Sequence, residues 1–442
     1  MLSFRQFVFI LCCVGCSLPP LQGAASQNSG AKQIPFEAAA VRTAKAASLL
    51  DQPEKWPYHL DSQRYPITVR YLLAGDREQA RRVIGYIEHS WEIEIDKLGF
   101  PPPFPSDSTG SRRLQVYLQR GADTAVEATR PVKAAAVWWD AWQAYLSIDA
   151  WGKYGGEILD STTSHEFNHA LHAALDWYES PGFFETTATY IQEKVYPEDN
   201  DYLQQIEDFQ QRPEWPVHAF DDYKTWYAYG ACLYLFFLEQ RYFAKQPQFI
   251  SQVWKDSRNK PRVFNPKTGA PDPLTNEPDW IDALEGLLPR GVSYPDTVVA
   301  FARWRYYTGR KSDGQHFHEG ALLSRLGEVK LAGELGPAQQ YLKNPGPKLL
   351  GSQYFKVQAP PLGQTLKIEI QADPSVRWAY QWVPALQAGQ DGEIFSGAGN
   401  VSFGPFKERV LIATALPAPG QNWDPDLPLG PSHPLQIQWL AN

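Results

Sequence analysis

The segment STTSHEFNHALHAALDWY (residues 161–178) restricts the fold more than any other stretch of this chain. His165 and His169 stand four apart, so on a helix they share one face, one turn apart. Thr162, Thr163, Ser164, Phe167, Asn168, Ala170 and Leu171 around them are uncharged. Such a helix suits burial, provided something inside the protein receives the imidazoles. A metal ion does so. Glu166, beside the first histidine, is then placed to handle a proton on a metal-bound water. This is the HExxH arrangement. Zinc suits two imidazoles and a carboxylate with one position left for water, whose pKa the ion lowers to about 7. Glu166 is the expected general base. The competing reading is a surface helix with solvated histidines.

A third ligand is needed. Leu175 occupies the place where a metzincin carries histidine, and Met1 is the only methionine, so a methionine turn is excluded. A glutamate from a following helix is the alternative. Ser180-Pro181 opens a second helix, with serine as cap and proline in the first turn. The link YESPG makes the two helices an antiparallel pair and brings Glu185, sixteen residues past His169, back to the histidines. Glu179 and Glu193 are weaker candidates. His172 sits about 60° off the ligand face and reads as a supporting or solvated residue. His316 and His318 form a loop pair with little claim to a metal.

Strand, helix, strands and the HEFNH helix follow one another in the order of an α+β core. YPITVRYLL (65–73) reads as a strand, and Val83, Ile84, Ile87, Trp91 and Ile95 recur at helical spacing. RRLQVYLQR and AAAVWWDAWQAYLSIDA read as strands, and TWYAYGACLYLFFLEQRYF as one mostly buried helix. Residues 255–292, rich in proline, glycine and asparagine, read as an extended connection, and PDTVVAFARWRYYTG as a further helix. Beyond about 328 the pattern changes. In TLKIEIQAD, Leu366, Ile368 and Ile370 alternate with Lys367, Glu369 and Gln371, and ERVLIATAL and LQIQWLA are also strand-like. Short strands between turn residues predict an all-β sandwich-like domain.

The net charge of -8 argues against nucleic acid or an anionic membrane as partner. The start, MLSFRQFVFILCCVGCSLPPLQGAASQ, has one charge, Arg5, before a short apolar run, as a secretory signal does. Cleavage after Gly23-Ala24-Ala25 competes with a lipoprotein signal that ends before a lipidated Cys16, whose lipid would be the only membrane link. Three of the four cysteines lie in this leader. The fourth, Cys232, is expected in the core.

HEFNH followed by F-x-E-T-x-A-T-x-x-x-E-x-x-Y-P-x-x-N-D resembles the gluzincin group of zinc peptidases. It also looks like predicted exported metalloproteases of myxobacteria and related bacteria, in which HExxH is paired with an E-x-x-A-T helix, here Glu185 to Thr189. The resemblance covers most of residues 66–320. It implies Zn2+ on His165, His169 and Glu185, with Glu166 as base. The chain departs from the group at two points. Gly182 stands where many gluzincins have tryptophan. Thr189 replaces an aspartate that orients a zinc histidine in thermolysin-like relatives, so that hydrogen bond must come from elsewhere, Glu193 being one candidate. For the donor to the reaction's oxyanion, Tyr229 in WYAYG is the first choice, with Tyr227 and His218 behind it.

The expected organisation is a signal peptide (1–25), an N-terminal extension (26–65), a zincin-like catalytic domain (66–327) and a C-terminal β-sandwich domain (328–442). The expected function is an exported zinc metallopeptidase acting on protein or peptide substrates. A surface binding or adhesion protein that keeps a zinc site without cleaving is the alternative, and a metal-dependent hydrolase of another substrate a third.

Overall fold

The computed structural model describes residues 55–104, 113–120, 125–131, 141–152, 158–259, 277–323, 327–386, 397–421 and 423–441. The expected signal segment, the helix near 36–50 and residues 260–276 of the connection lie outside them. The chain is a mixed helix and sheet protein.

The first sheet contains β1 (Tyr58–Asp61), β2 (Ile67–Tyr71), β3 (Leu114–Leu118), β4 (Ala125–Pro131) and β5 (Trp142–Ile148), in the order β1-β2-β3-β5-β4. β2, β3 and β5 run parallel, while β1 and β4 are antiparallel edges. ITVRY and LQVYL are buried almost along their length, as strands covered on both faces must be. A parallel pair needs a crossover, and α1 (Arg77–Trp91) supplies it between β2 and β3. It buries Ala80, Val83, Ile84, Ile87 and Trp91.

One expected core position moves. After Trp91 the helix widens into a π turn (Glu92–Lys97), with Leu98 N–H bonded to Ile93 O at 2.8 Å. Ile95, placed on the apolar stripe from its spacing, is only half-buried, and Glu94 becomes fully buried.

α2 (Leu159–Leu175) packs on β4, β5 and α1, and α3 (Pro181–Val195) packs on α2. Next come α4 (Ile206–Gln210), α5 (Tyr227–Gly230), α6 (Cys232–Arg241), α7 (Phe249–Asp256), α8 (Trp280–Leu287) and α9 (Tyr294–Tyr306). Two expectations are corrected. The single helix over 225–243 is broken between α5 and α6. Gly230 lies so close to α4 that a Cβ would sit 2.7 Å from Phe209 Cβ and 2.6 Å from Gln205 O, so only glycine fits beside the break. The connection 255–292 also contains α8. Asp279 caps it, accepting from Ile281 N–H (2.6 Å) and Asp282 N–H (3.0 Å), and Trp280, Ile281 and Leu284 are buried.

The C-terminal strands are β6 (Gly333–Leu335), β7 (Tyr341–Asn344), β8 (Ser352–Gln358), β9 (Leu366–Ala372), β10 (Arg377–Val383), β11 (Ala398–Val401), β12 (Glu408–Leu416) and β13 (Leu435–Ala441). They form two four-stranded sheets, β10-β12-β8-β6 and β11-β9-β13-β7. Phe355, Val357, Trp382 and Leu411 of the first share a core with Leu366, Ile368, Ile437 and Trp439 of the second. β12 is buried on both faces from Arg409 to Leu416, because its outer side, with Tyr354 of β8, packs on Ala302 and Tyr307 around α9. Tyr354 O–H donates to Ala302 O at 2.7 Å, and Ser352 N–H to Pro213 O at 2.8 Å. The first of these sheets is thus built onto α9 and the segment around Pro213. Among the described residues, no helix is long and apolar enough to cross a membrane.

Candidate metal centre

The turn between α2 and α3 is set locally. Asp176 N–H closes α2 on His172 O at 2.8 Å, and Ser180 Oγ accepts Phe183 N–H at 3.2 Å with Pro181 beginning the next helix. The antiparallel return puts Glu185 against both histidines. Its Oε2 lies 3.1 Å from His165 Nε2 and 3.4 Å from His169 Nε2, and the two rings are edge to face with centroids 4.6 Å apart. Ligand atoms held tetrahedrally at about 2.0–2.1 Å from one ion lie about 3.4 Å from each other. The two carboxylate–imidazole distances are close to that spacing, and all three ligand atoms lie within 4.8 Å of one another. All three are buried, at 7, 5 and 6 % exposure. Burial alone would raise the Glu185 carboxyl, but His169 and His165 outweigh it and hold it far below the usual carboxylate range. Burial likewise opposes the charged form of His165, yet Glu185 raises it above an ordinary histidine. A carboxylate and two imidazoles converging in a buried place form a set that suits a cation.

Glu166 is 7 % exposed and close enough for its charge to act on both His165 and Tyr229. Tyr229, on α5, stacks on the His165 ring with centroids 5.8 Å apart and planes 13° apart. Burial first, then Glu185 and a hydrogen bond to it, push its phenol well above the ordinary value. It thus keeps its proton as a donor beside the three ligand candidates.

The other candidates lie elsewhere. Tyr227 O–H is committed to Trp215 O (3.1 Å) and Pro216 O (3.0 Å). His218 stacks on Trp423, and burial lowers it to about 4. Glu179 accepts Ser180 N–H (2.7 Å) and Trp280 N–H (2.9 Å), fastening α8 to the turn. Glu193 faces Glu319 and Asp199, and burial with these charges raises it to about 8. His316 pairs with Asp313 at 2.9 Å and stacks on Tyr307. Cys232 is buried and free. His172 stacks on Trp254 at 3.9 Å, and its Nδ1 lies 3.5 Å from His169 Nδ1, so it backs that ligand from the core side. One further acid group, Glu277, Asp279 and Asp282, also places ligand atoms together among the described residues, at the capped start of α8.

Two residues of this region were not found by motif reasoning. Gln192 Oε1 is 2.8 Å from His165 Nδ1. It provides the orienting contact that Thr189 does not, whose buried Oγ1 has no hydrogen-bond partner. Glu94 lies behind α2, accepting from Ser164 Oγ (3.1 Å) and Asn168 Nδ2 (2.8 Å). Its position on the Ile87–Trp91 stripe was the available signal, a carboxyl on an apolar face.

Burial raises the Glu94 carboxyl well above its usual value, against the weaker effect of the Asn168 and Ser164 bonds. A raised folded pKa means stability that is full below the unfolded value, about 4.3, and is lost as pH rises through the folded value. Glu94→Gln mimics the protonated form, with an amide N–H for Ser164 Oγ and an oxygen for Asn168. The variant should match wild type near pH 4–5 and exceed it at pH 8 by about 1–3 kcal/mol. Urea midpoints at the two pH values measure this, and a variant less stable at pH 8 would refute the assignment.

No protein-family model matches the chain, and no curated protein matches it significantly.

Proposed function

We propose that the protein is an exported zinc metallopeptidase, with a zincin-like domain followed by a β-sandwich. The observation that carries this is the convergence of His165 Nε2 and His169 Nε2 on Glu185 Oε2, at 3.1 and 3.4 Å, with Glu166 next to His165 in the chain. Two nitrogens and one oxygen form the donor set that catalytic zinc takes when a water completes it. Zinc bound there supplies a Lewis acid that polarises a carbonyl and acidifies water.

The chain's own residues account for the rest. Glu166 takes the proton from the attacking water and returns it to the leaving amine nitrogen, so that one amide C–N bond is exchanged for a carboxylic acid and an amine. Tyr229 O–H donates to the oxygen on which negative charge develops. β4 is an edge strand, paired only with β5 among the described residues, and it packs beside α2. The short apolar leader supports export.

The near-complete burial of the site favours one second reading, a binding protein with a closed zinc site. Digestion of a peptide library, read by mass spectrometry with and without chelator, separates the two. Cleavage that the chelator abolishes is expected. Full zinc loading with no cleavage would establish the second reading.

A further inference from the structure

We propose that Gln192 is the positioning residue of His165, and that Asp201 decides which end of the Gln192 amide the histidine meets. This rests on the metal site proposed above. Gln192 follows Glu185 by seven residues, two helical turns, and so shares its face of α3. Its Oε1 is 2.8 Å from His165 Nδ1, and its Nε2 is 3.3 Å from Asp201 Oδ2.

The two ends of an amide are told apart by their partners. A carboxylate only accepts, so the Asp201 side takes the N–H2 end, and the oxygen is left facing the imidazole. An amide oxygen also only accepts, so His165 must carry its proton on Nδ1. In the neutral, metal-binding imidazole Nε2 is then the lone pair offered to the ion, and this is the nitrogen 3.1 Å from Glu185 Oε2. Asp201 is itself held from the far side, where Oδ1 accepts from Gln204 Nε2. Asp201 therefore sets Gln192, and Gln192 sets the tautomer and the angle of His165.

A metal-binding histidine commonly gives its second N–H directly to a carboxylate or carbonyl. Here a neutral amide intervenes, and the carboxylate stands one residue further out. The negative charge is kept off the imidazole while its orientation is retained. Gln192 is 2 % exposed, so water does not compete for that contact.

The test is zinc affinity of the full chain, measured by competition with a chromophoric chelator and needing no turnover. Gln192→Leu should weaken zinc about 10–100-fold. Gln192→Glu and Asp201→Asn should each weaken it, the first by setting two carboxylates face to face and the second by removing the acceptor-only group. The double variant Gln192→Glu/Asp201→Asn recreates a donor–acceptor pair and should return to within about threefold of wild type, since effects in a contacting pair are not additive. Helix packing alone would predict that the two losses add. Additive losses, or unchanged affinity in Gln192→Leu, overturn the proposal and leave the zinc site standing. If Gln192→Leu does not fold, the comparison of the two single variants with the double one still decides. A wild-type protein that takes up no zinc overturns both the site and this inference.

Discussion

Glu166→Gln should bind zinc as tightly as wild type and hydrolyse peptides roughly 10²–10⁴-fold more slowly, the usual contribution of a positioned general base. The amide has the shape of the carboxylate it replaces, and Glu166 is not one of the three side chains whose ligand atoms converge. Zinc content, melting temperature and the fold of α2 should therefore be unchanged. What disappears is a group able to take a proton, equivalent to about 3–5 kcal/mol of barrier. The loss should fall on kcat, because a proton transfer occurs only as the transition state is approached. Steady-state kinetics on a peptide found in the library digest, together with the zinc content of the same preparation, measure it. A variant that keeps both zinc and wild-type turnover would move the base to another residue. A variant that loses zinc would mean that Glu166 holds the ion.

What could be read from the sequence is what local chemistry dictates. The α2 helix follows from uncharged residues around two histidines at helical spacing, and the start of α3 from a serine cap with proline behind it, found at Ser180 and Pro181. The alternation of Leu366 and Ile368 with lysine and glutamate gives β9. Failures arise where a distant contact overrides local preference. The helix breaks beside Gly230, where α4 packs too closely for any side chain, which no window around WYAYG reveals. α8 was hidden because prolines and glycines surround a short apolar helix whose cap, Asp279, looks like one more loop residue. Glu94 and Ile95 both lie one turn past Trp91, so periodicity does not choose between them, and the fold buries the carboxyl rather than the isoleucine. At the site, the ligand candidates could be anticipated because metal chemistry demands particular residue types at fixed spacing. Gln192 could not, because any acceptor can orient an imidazole and only the fold selects which one reaches it.

Glu185→Ala should abolish the stabilisation that zinc gives the wild-type protein. A ligand that binds only the folded state at a thousand times its dissociation constant adds about 4 kcal/mol, or about 8 °C in melting temperature at roughly 2 °C per kcal/mol. Removing one ligand of three leaves two imidazoles whose centroids are 4.6 Å apart. If that costs about a thousandfold in affinity, the same zinc concentration yields only about 0.4 kcal/mol, a shift of about 1 °C. Without metal the variant should itself melt lower, since the histidine contacts it gives up outweigh the burial of the carboxylate, so the readout is the difference between zinc and chelator within each protein. Glu193→Gln is the matched control on the same helix. Glu193 faces Glu319 and Asp199 rather than the histidines, so this variant should keep the full shift of about 8 °C. Melting curves of the three proteins with zinc and with chelator decide the point. The opposite pattern, with the shift kept in Glu185→Ala and lost in Glu193→Gln, would assign the third ligand to Glu193 and require α3 to turn about its axis from the position described.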